Sequence, residues 1–224
     1  MEKPGFEKDK EGNLILDSNQ KPIKRYRLIN SAQRINEVSK RVTSLPLGAN
    51  EFTERFASYP LISLIDLYSE YDQCTQALES RDITAFHMTL GLMRMRTLPQ
   101  GYTNAVQAFD RVVKKVLYAQ IVQGRCEQFI DDIVVRPKSR YKYLNKKGEP
   151  TISQIPGIRL YVLEAIQNLD VVLADIERAE GTTAGYKSVF VAEEIKVMAY
   201  VCDSNRRHPD IQKVKKILDW PQCK

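Results

Sequence analysis

CEQFIDDIVVR, Cys126 to Arg136, sets two short apolar runs on either side of adjacent carboxylates, Asp131 and Asp132. Aromatic and β-branched residues in runs this short read as strand, so the stretch predicts a tight hairpin with its acids at or beside the tip. Two-residue hairpin turns favour Asn-Gly or Asp-Gly because their backbone needs φ > 0. Asp-Asp contains neither glycine nor asparagine. Neighbours on a strand point to opposite faces, which would keep the two charges from repelling at full strength. An unpaired carboxylate among apolar side chains still costs several kcal/mol. Three arrangements relieve that cost: exposure at the turn, basic partners, or a divalent cation.

Working outward, LISLIDLY, Leu61 to Tyr68, is an apolar run with one acid, Asp66, lodged inside it. A strand there, lying beside the hairpin, could bring Asp66 together with Asp131. Carboxylate oxygens in such a set suit Mg²⁺, which binds through one or two carboxylates plus substrate phosphates. Composition alone favours a plain acidic turn over such a site. TLPQGYTN, residues 97–104, is a Pro/Gly loop, and Thr103 or Asn104 can cap the helix that follows. In that helix Val106, Phe109, Val113, Val116 and Leu117 recur at helical spacing and predict a core face. A second amphipathic helix runs over 158–180 and stops at Gly181.

At the N-terminal side, residues 12–29 read as strand, polar turn, strand, with Lys21, Arg25 and Arg27 sharing one face. Residues 136–151 form a basic stretch with Tyr141 and Tyr143 interleaved, either a surface loop or a nucleic-acid contact. Residues 188–203 read as a strand pair, and 210–220 as a short closing helix. Strands and helices alternate without glycine-rich βα turns, which predicts an α+β fold, an antiparallel sheet under helices.

With 224 residues, the chain is long enough for a sizeable core. Lys+Arg 34 against Asp+Glu 28 gives a net charge of +6, which tilts toward polyanionic partners. The four cysteines, Cys74, Cys126, Cys202 and Cys223, form no CxxC pair and there are two histidines, so a zinc site is not expected. Scattered thiols, no apolar leader and no long uncharged run predict a soluble cytosolic or nuclear protein, neither secreted nor membrane-bound.

LIDLYSEYDQ, TAFHMTLGLMRMRTLPQGYTNAVQAFDRVV, FIDDIVV and KILDWP, in that order, resemble the palm and fingers of a reverse transcriptase. The likeness is to the Gypsy class of LTR retrotransposons (Metaviridae), and runs from about Gly12 to Pro221. It implies a right-hand polymerase palm with fingers and without the thumb. Residues 1–60 would be part of the fingers, and 61–224 the palm, with an inserted fingers segment at about 74–100 and a basic loop at 136–156. It also implies RNA-directed DNA synthesis: a primer 3′-hydroxyl attacks a dNTP on an RNA or DNA template, assisted by two Mg²⁺ or Mn²⁺ ions. Asp66, Asp131 and Asp132 match the family's metal-binding acids, and the Leu67 carbonyl a further ligand. Tyr71 matches the aromatic gate against the incoming sugar. Gln100 and Gly101 match the loop facing the nucleotide, Lys21 and Arg27 the basic finger positions, and Lys187 a lysine near the leaving pyrophosphate. Departures are Phe129 for the usual Tyr, Glu70 for Gly or Ala, Arg25 for an acid, and a longer 136–156 connection. Because thumb, connection and RNase H would follow the closing DWPQCK, the resemblance implies a piece of a longer polyprotein. A degenerate, nucleic-acid-binding relic is the alternative.

Overall fold

Leu61 to Ile65 is five apolar or small residues in a row, and that run becomes the central strand of the main sheet. The computed structural model describes residues 2–6, 13–26, 31–43, 48–139 and 143–220. Its elements begin with strands β1 (Glu2–Phe6) and β2 (Lys24–Tyr26), helices α1 (Gln33–Val38) and α2 (Ala49–Glu54), and strand β3 (Ile62–Asp66). Helix α3 (Leu78–Arg81), the hairpin β4 (Phe86–Met88) and β5 (Gly91–Met93), and helices α4 (Ala105–Val116) and α5 (Tyr118–Val122) follow. The predicted hairpin is β6 (Cys126–Phe129) and β7 (Asp132–Val135), succeeded by helix α6 (Leu160–Arg178). Strands β8 (Val189–Ala192), β9 (Glu194–Val197), β10 (Tyr200–Asp203) and β11 (Arg207–Pro209) lead to helix α7 (Ile211–Leu218).

The chain divides into two compact units, residues 1–40 with 76–103, and residues 41–75 with 104–224. In the larger, a four-stranded sheet runs β6-β7-β3-β8, antiparallel at every pairing. Its two faces follow from the period-2 alternation of β3. Ile62 and Leu64, with Val134 from β7, pack on Phe52, Phe56 and Tyr59 and on Ile195, Val197 and Cys202. The opposite face is covered by α6 against β7 and β8, and by α4 against β6. Ile133 and Ile65 are fully buried, and full burial of one such side chain stabilises by about 1.5–3 kcal/mol. The sheet therefore ends, at Asp66 and Asp132, on a rigid and doubly covered base.

Several expectations change on contact with the fold. Residues 188–203 form three strands, one in the main sheet and two in a separate β9–β10–β11 sheet. Val106 is 38% exposed, because the helix turns that residue away from the face carrying Phe109 and Val113. Asn104 stands at the N-cap of α4 without capping it, and its Oδ1 accepts the Val42 N–H instead. The left-handed residue ending α6 is Glu180, not Gly181. Gly181 is needed for close approach, since a Cβ there would come within 2.8 Å of Ile176 Cγ2.

In the smaller unit, β1 pairs with β2, and residues 14–23 turn back through the Leu16–Pro22 bridge. The partner strand β1 precedes the strand–turn–strand that the sequence predicts over 12–29. The β4–β5 hairpin completes the strands described there.

Candidate active site

The β3–β7 register sets Ser63 opposite Val135, Leu64 opposite Val134, Ile65 opposite Ile133 and Asp66 opposite Asp132. Directly opposed residues share a face, with Cβ atoms about 5 Å apart, so the two carboxylates leave the sheet side by side. Asp66 thus meets Asp132 across the ladder rather than Asp131. Asp131 is not on a strand at all. Phe129 pairs with Asp132, so Ile130 and Asp131 form the two-residue turn. Pleat alternation therefore does not separate the adjacent acids, contrary to expectation.

Ile130 has φ +57°, a left-handed value that a β-branched side chain rarely adopts and that costs on the order of 1–3 kcal/mol. The turn is held from inside. Gln128, 7% exposed, donates from Nε2 to the Ile130 carbonyl at 2.7 Å.

Electrostatics record the crowding. Burial, followed by the charges of Asp131 and Asp66, pushes the Asp132 carboxyl up to about 6. Burial also raises Glu70, together with the charge of Asp131 and a hydrogen bond with it. Lys187 opposes this: its Nζ donates to Asp66 Oδ1 at 3.0 Å, and that bond raises the lysine's own pKa. Asp66 is gripped through its backbone as well. Its N–H donates to Ser188 Oγ at 3.1 Å and its carbonyl accepts the Ala184 N–H at 2.8 Å.

Leu67 forms an antiparallel bridge with Thr183, in which the flanking bonds run from Tyr68 N–H to Thr182 and from Ala184 N–H to Asp66. In such a pair the central residue's own carbonyl points away from its bridge partner, here toward the hairpin side. Tyr71 lies in a 3₁₀ turn, Glu70–Gln73, and its ring packs on Phe109 at 5.5 Å between centroids. Gln73 fastens that turn, donating to the carbonyls of Tyr68 and Thr182 and accepting the Thr182 N–H.

Asp66, Leu67, Tyr71, Asp131, Asp132 and Lys187 thus fall in the larger unit. Lys21, Gln100 and Gly101 belong to the smaller one, and Arg27 lies outside the described residues. Gly101, at φ +89°, gives its carbonyl to Asn36 Nδ2 at 2.9 Å, while Asn36 Oδ1 accepts the Thr103 N–H. Asn36, Ser188, Gln128 and Gln73 escaped the sequence reading because each acts through a contact that no local pattern signals. Glu70 stood out there as a departure, but not as a neighbour of Asp131.

The donors fit a hard divalent cation in kind: carboxylates of Asp66, Asp131 and Asp132 and a backbone carbonyl. Among the described residues, no three His, Cys, Asp or Glu side chains already stand at metal-ligating spacing.

A family profile described as "Reverse transcriptase (RNA-dependent DNA polymerase)" matches residues 8–202. The chain belongs to the reverse transcriptase family. Two curated relatives come from Drosophila melanogaster. The retrovirus-related Pol polyprotein from transposon gypsy is 24% identical over 159 residues, 70% of this chain and 13% of that protein. The corresponding polyprotein from transposon opus is 23% identical over 198 residues, 88% of this chain and 17% of that one. The chain therefore spans less than a fifth of either relative. Among solved structures, the foamy viral protease–reverse transcriptase with double-stranded DNA aligns over 94% of this chain and 32% of its own, with TM-score 0.71 and 16% identity. The same viral protein with an RNA/DNA hybrid aligns over 86% of this chain and 23% of its own, with TM-score 0.68 and 18% identity. These likenesses establish the palm-and-fingers fold of a reverse transcriptase.

Proposed function

We propose that this chain is the core of an RNA-directed DNA polymerase, which extends a primer 3′-hydroxyl with dNTPs on an RNA or DNA template. The observation that carries the reading is the β3–β7 register: it sets Asp66 against Asp132, with Asp131 next in the turn, on a buried base. Asp66, Asp131, Asp132 and the Leu67 carbonyl would hold two Mg²⁺ or Mn²⁺ ions. Bound there, the ions would supply Lewis-acid charge for phosphoryl transfer, in which catalysis is mostly positioning and charge neutralisation.

The chain's own residues divide the remaining work. Tyr71, whose ring packs on Phe109, would stand against the nucleotide sugar and exclude a 2′-hydroxyl by contact. Lys187 would meet the phosphates that leave. Gln100 and Gly101, whose loop Asn36 ties down, would face the nucleotide, and Lys21 and Arg27 would contact its phosphates and the template. Residues 1–60 and the segment at about 74–100 would serve as fingers, with the rest as palm. Within that scheme, 41–60 clusters with the larger unit. The 136–156 connection would add salt-sensitive phosphate contacts.

A second reading, a nucleic-acid-binding relic, draws on Glu70, a carboxyl pushed up by burial and by its neighbour Asp131. One experiment separates the two. Primed-template dNTP incorporation with Mg²⁺ or Mn²⁺ is measured for this chain joined to its downstream domains, beside Asp131→Asn. Incorporation that the substitution abolishes supports the polymerase. Binding of primer–template without incorporation, indifferent to the substitution, supports the relic.

A further inference from the structure

The turn at 184–188 holds Asp66 by three bonds from three different residues. Ala184 takes its carbonyl, Ser188 takes its N–H, and Lys187 takes its carboxylate. The turn is itself closed, since the Lys187 and Ser188 N–H groups both donate to the Ala184 carbonyl at 3.0 Å. A lysine on such a braced turn is not a loose surface chain that wandered to an acid. Its ammonium lies at the carboxylate end of β3, on Asp66, and 5.9 Å from the centre of the Tyr186 ring. The Asp66 side chain is 16% exposed and that of Lys187 48%, so the pair can part without unfolding anything. The charge of Lys187 also reaches Asp132 and Glu70, making it a common counter-ion of the acid cluster.

We infer that Lys187 is a tethered cation that competes with divalent metal for Asp66, and that metal entry releases it toward the substrate's phosphates. This rests on the cation-binding reading above and adds an order to it. A dication outbids a single tethered ammonium for several carboxylates, because its attraction to each is twofold larger at equal distance. While Lys187 sits on Asp66, it is not available to a triphosphate. Once displaced, it stands free beside the site with its charge unspent. The site would then become ready for nucleotide only as it fills with cation.

The test is equilibrium Mn²⁺ binding to the whole chain, read from the paramagnetic resonance of the free ion. Lys187→Gln is expected to tighten the dissociation constant about fivefold, the worth of a partly exposed ion pair. Lys187→Arg, which keeps the charge, is expected to leave it near the parent value. Unchanged or weaker binding in Lys187→Gln, with binding still lost in Asp131→Asn, would overturn the competition and leave the cation site standing. Binding indifferent to Asp131→Asn would overturn the site itself. A second measurement needs no variant: amine acylation followed by peptide mass spectrometry, with and without Mg²⁺. Mg²⁺ is expected to speed labelling of Lys187 but not of Lys114, which pairs with Asp110 at 2.7 Å. Equal rates for Lys187 in both conditions would also overturn the competition.

Discussion

Two hairpins in the larger unit are built on opposite principles. The one at 144–150 obeys turn chemistry. Asn145 Oδ1 accepts the N–H groups of Lys147 and Glu149, Gly148 takes φ +78°, and Leu144 bridges Pro150. The one at 126–135 breaks it, putting a β-branched Ile130 at φ +57° and an acid at the second turn position. The compliant hairpin carries exposed lysines and no cluster. The strained one delivers Asp131 and Asp132 to Asp66. Backbone strain persists only where surrounding structure over-determines it, and here Val134, Ile133 and Gln128 do so from beneath. A similar breach recurs at Met198 and Ala199, both at positive φ in the β9–β10 turn.

That contrast can be broken experimentally, beginning with the largest effect. Asp131→Asn should lower dNTP incorporation by about 10³-fold or more, the scale of losing a group that stabilises transition-state charge, while circular dichroism stays unchanged. An equally active variant would mean that the strained turn serves no chemistry. Ile133→Ala should destabilise by about 2–5 kcal/mol in urea titration, since the residue is fully buried under the turn. A loss below that range would show that the base is not what enforces the strain.

The sharpest pair has opposite signs. Ile130→Gly should stabilise by about 1 kcal/mol, because glycine adopts φ > 0 freely. Gly148→Ala should destabilise by about 1 kcal/mol for the converse reason. Equal signs in thermal melts would erase the distinction between the hairpins.

The smallest expected effect is in pH. The Asp132 carboxyl titrates at about 6 in the folded chain against an ordinary 3.8. Between those values the folded state binds more proton than the unfolded one, so stability rises as pH falls from about 6 toward 4. With a chelator present, the melting temperature should therefore climb slightly from pH 7 to pH 5, and Asp132→Asn should flatten that slope.

Much of this was legible in the sequence, because period-2 and period-3.6 patterns are local. The hairpin, both long helices and the apolar run before Asp66 came from such patterns. The order of motifs carried the family. Val106 was misread because a helical stripe shows which residues recur, not which edge of the stripe reaches the core. Three strands at 188–203 looked like two because the break between β8 and β9 is a single residue, Glu193, with no glycine or proline to mark a turn.

Sequence alone determined that this chain carries three acids in strand-like surroundings and the motif order of a reverse transcriptase. Only the tertiary structure decided that Asp66 faces Asp132, that Asp131 shares its corner with Glu70, and that Lys187 sits on Asp66. The reason is separation along the chain: register joins Asp66 to Asp132, an ion pair joins it to Lys187 across 121 positions, and no local periodicity encodes a contact closed by packing.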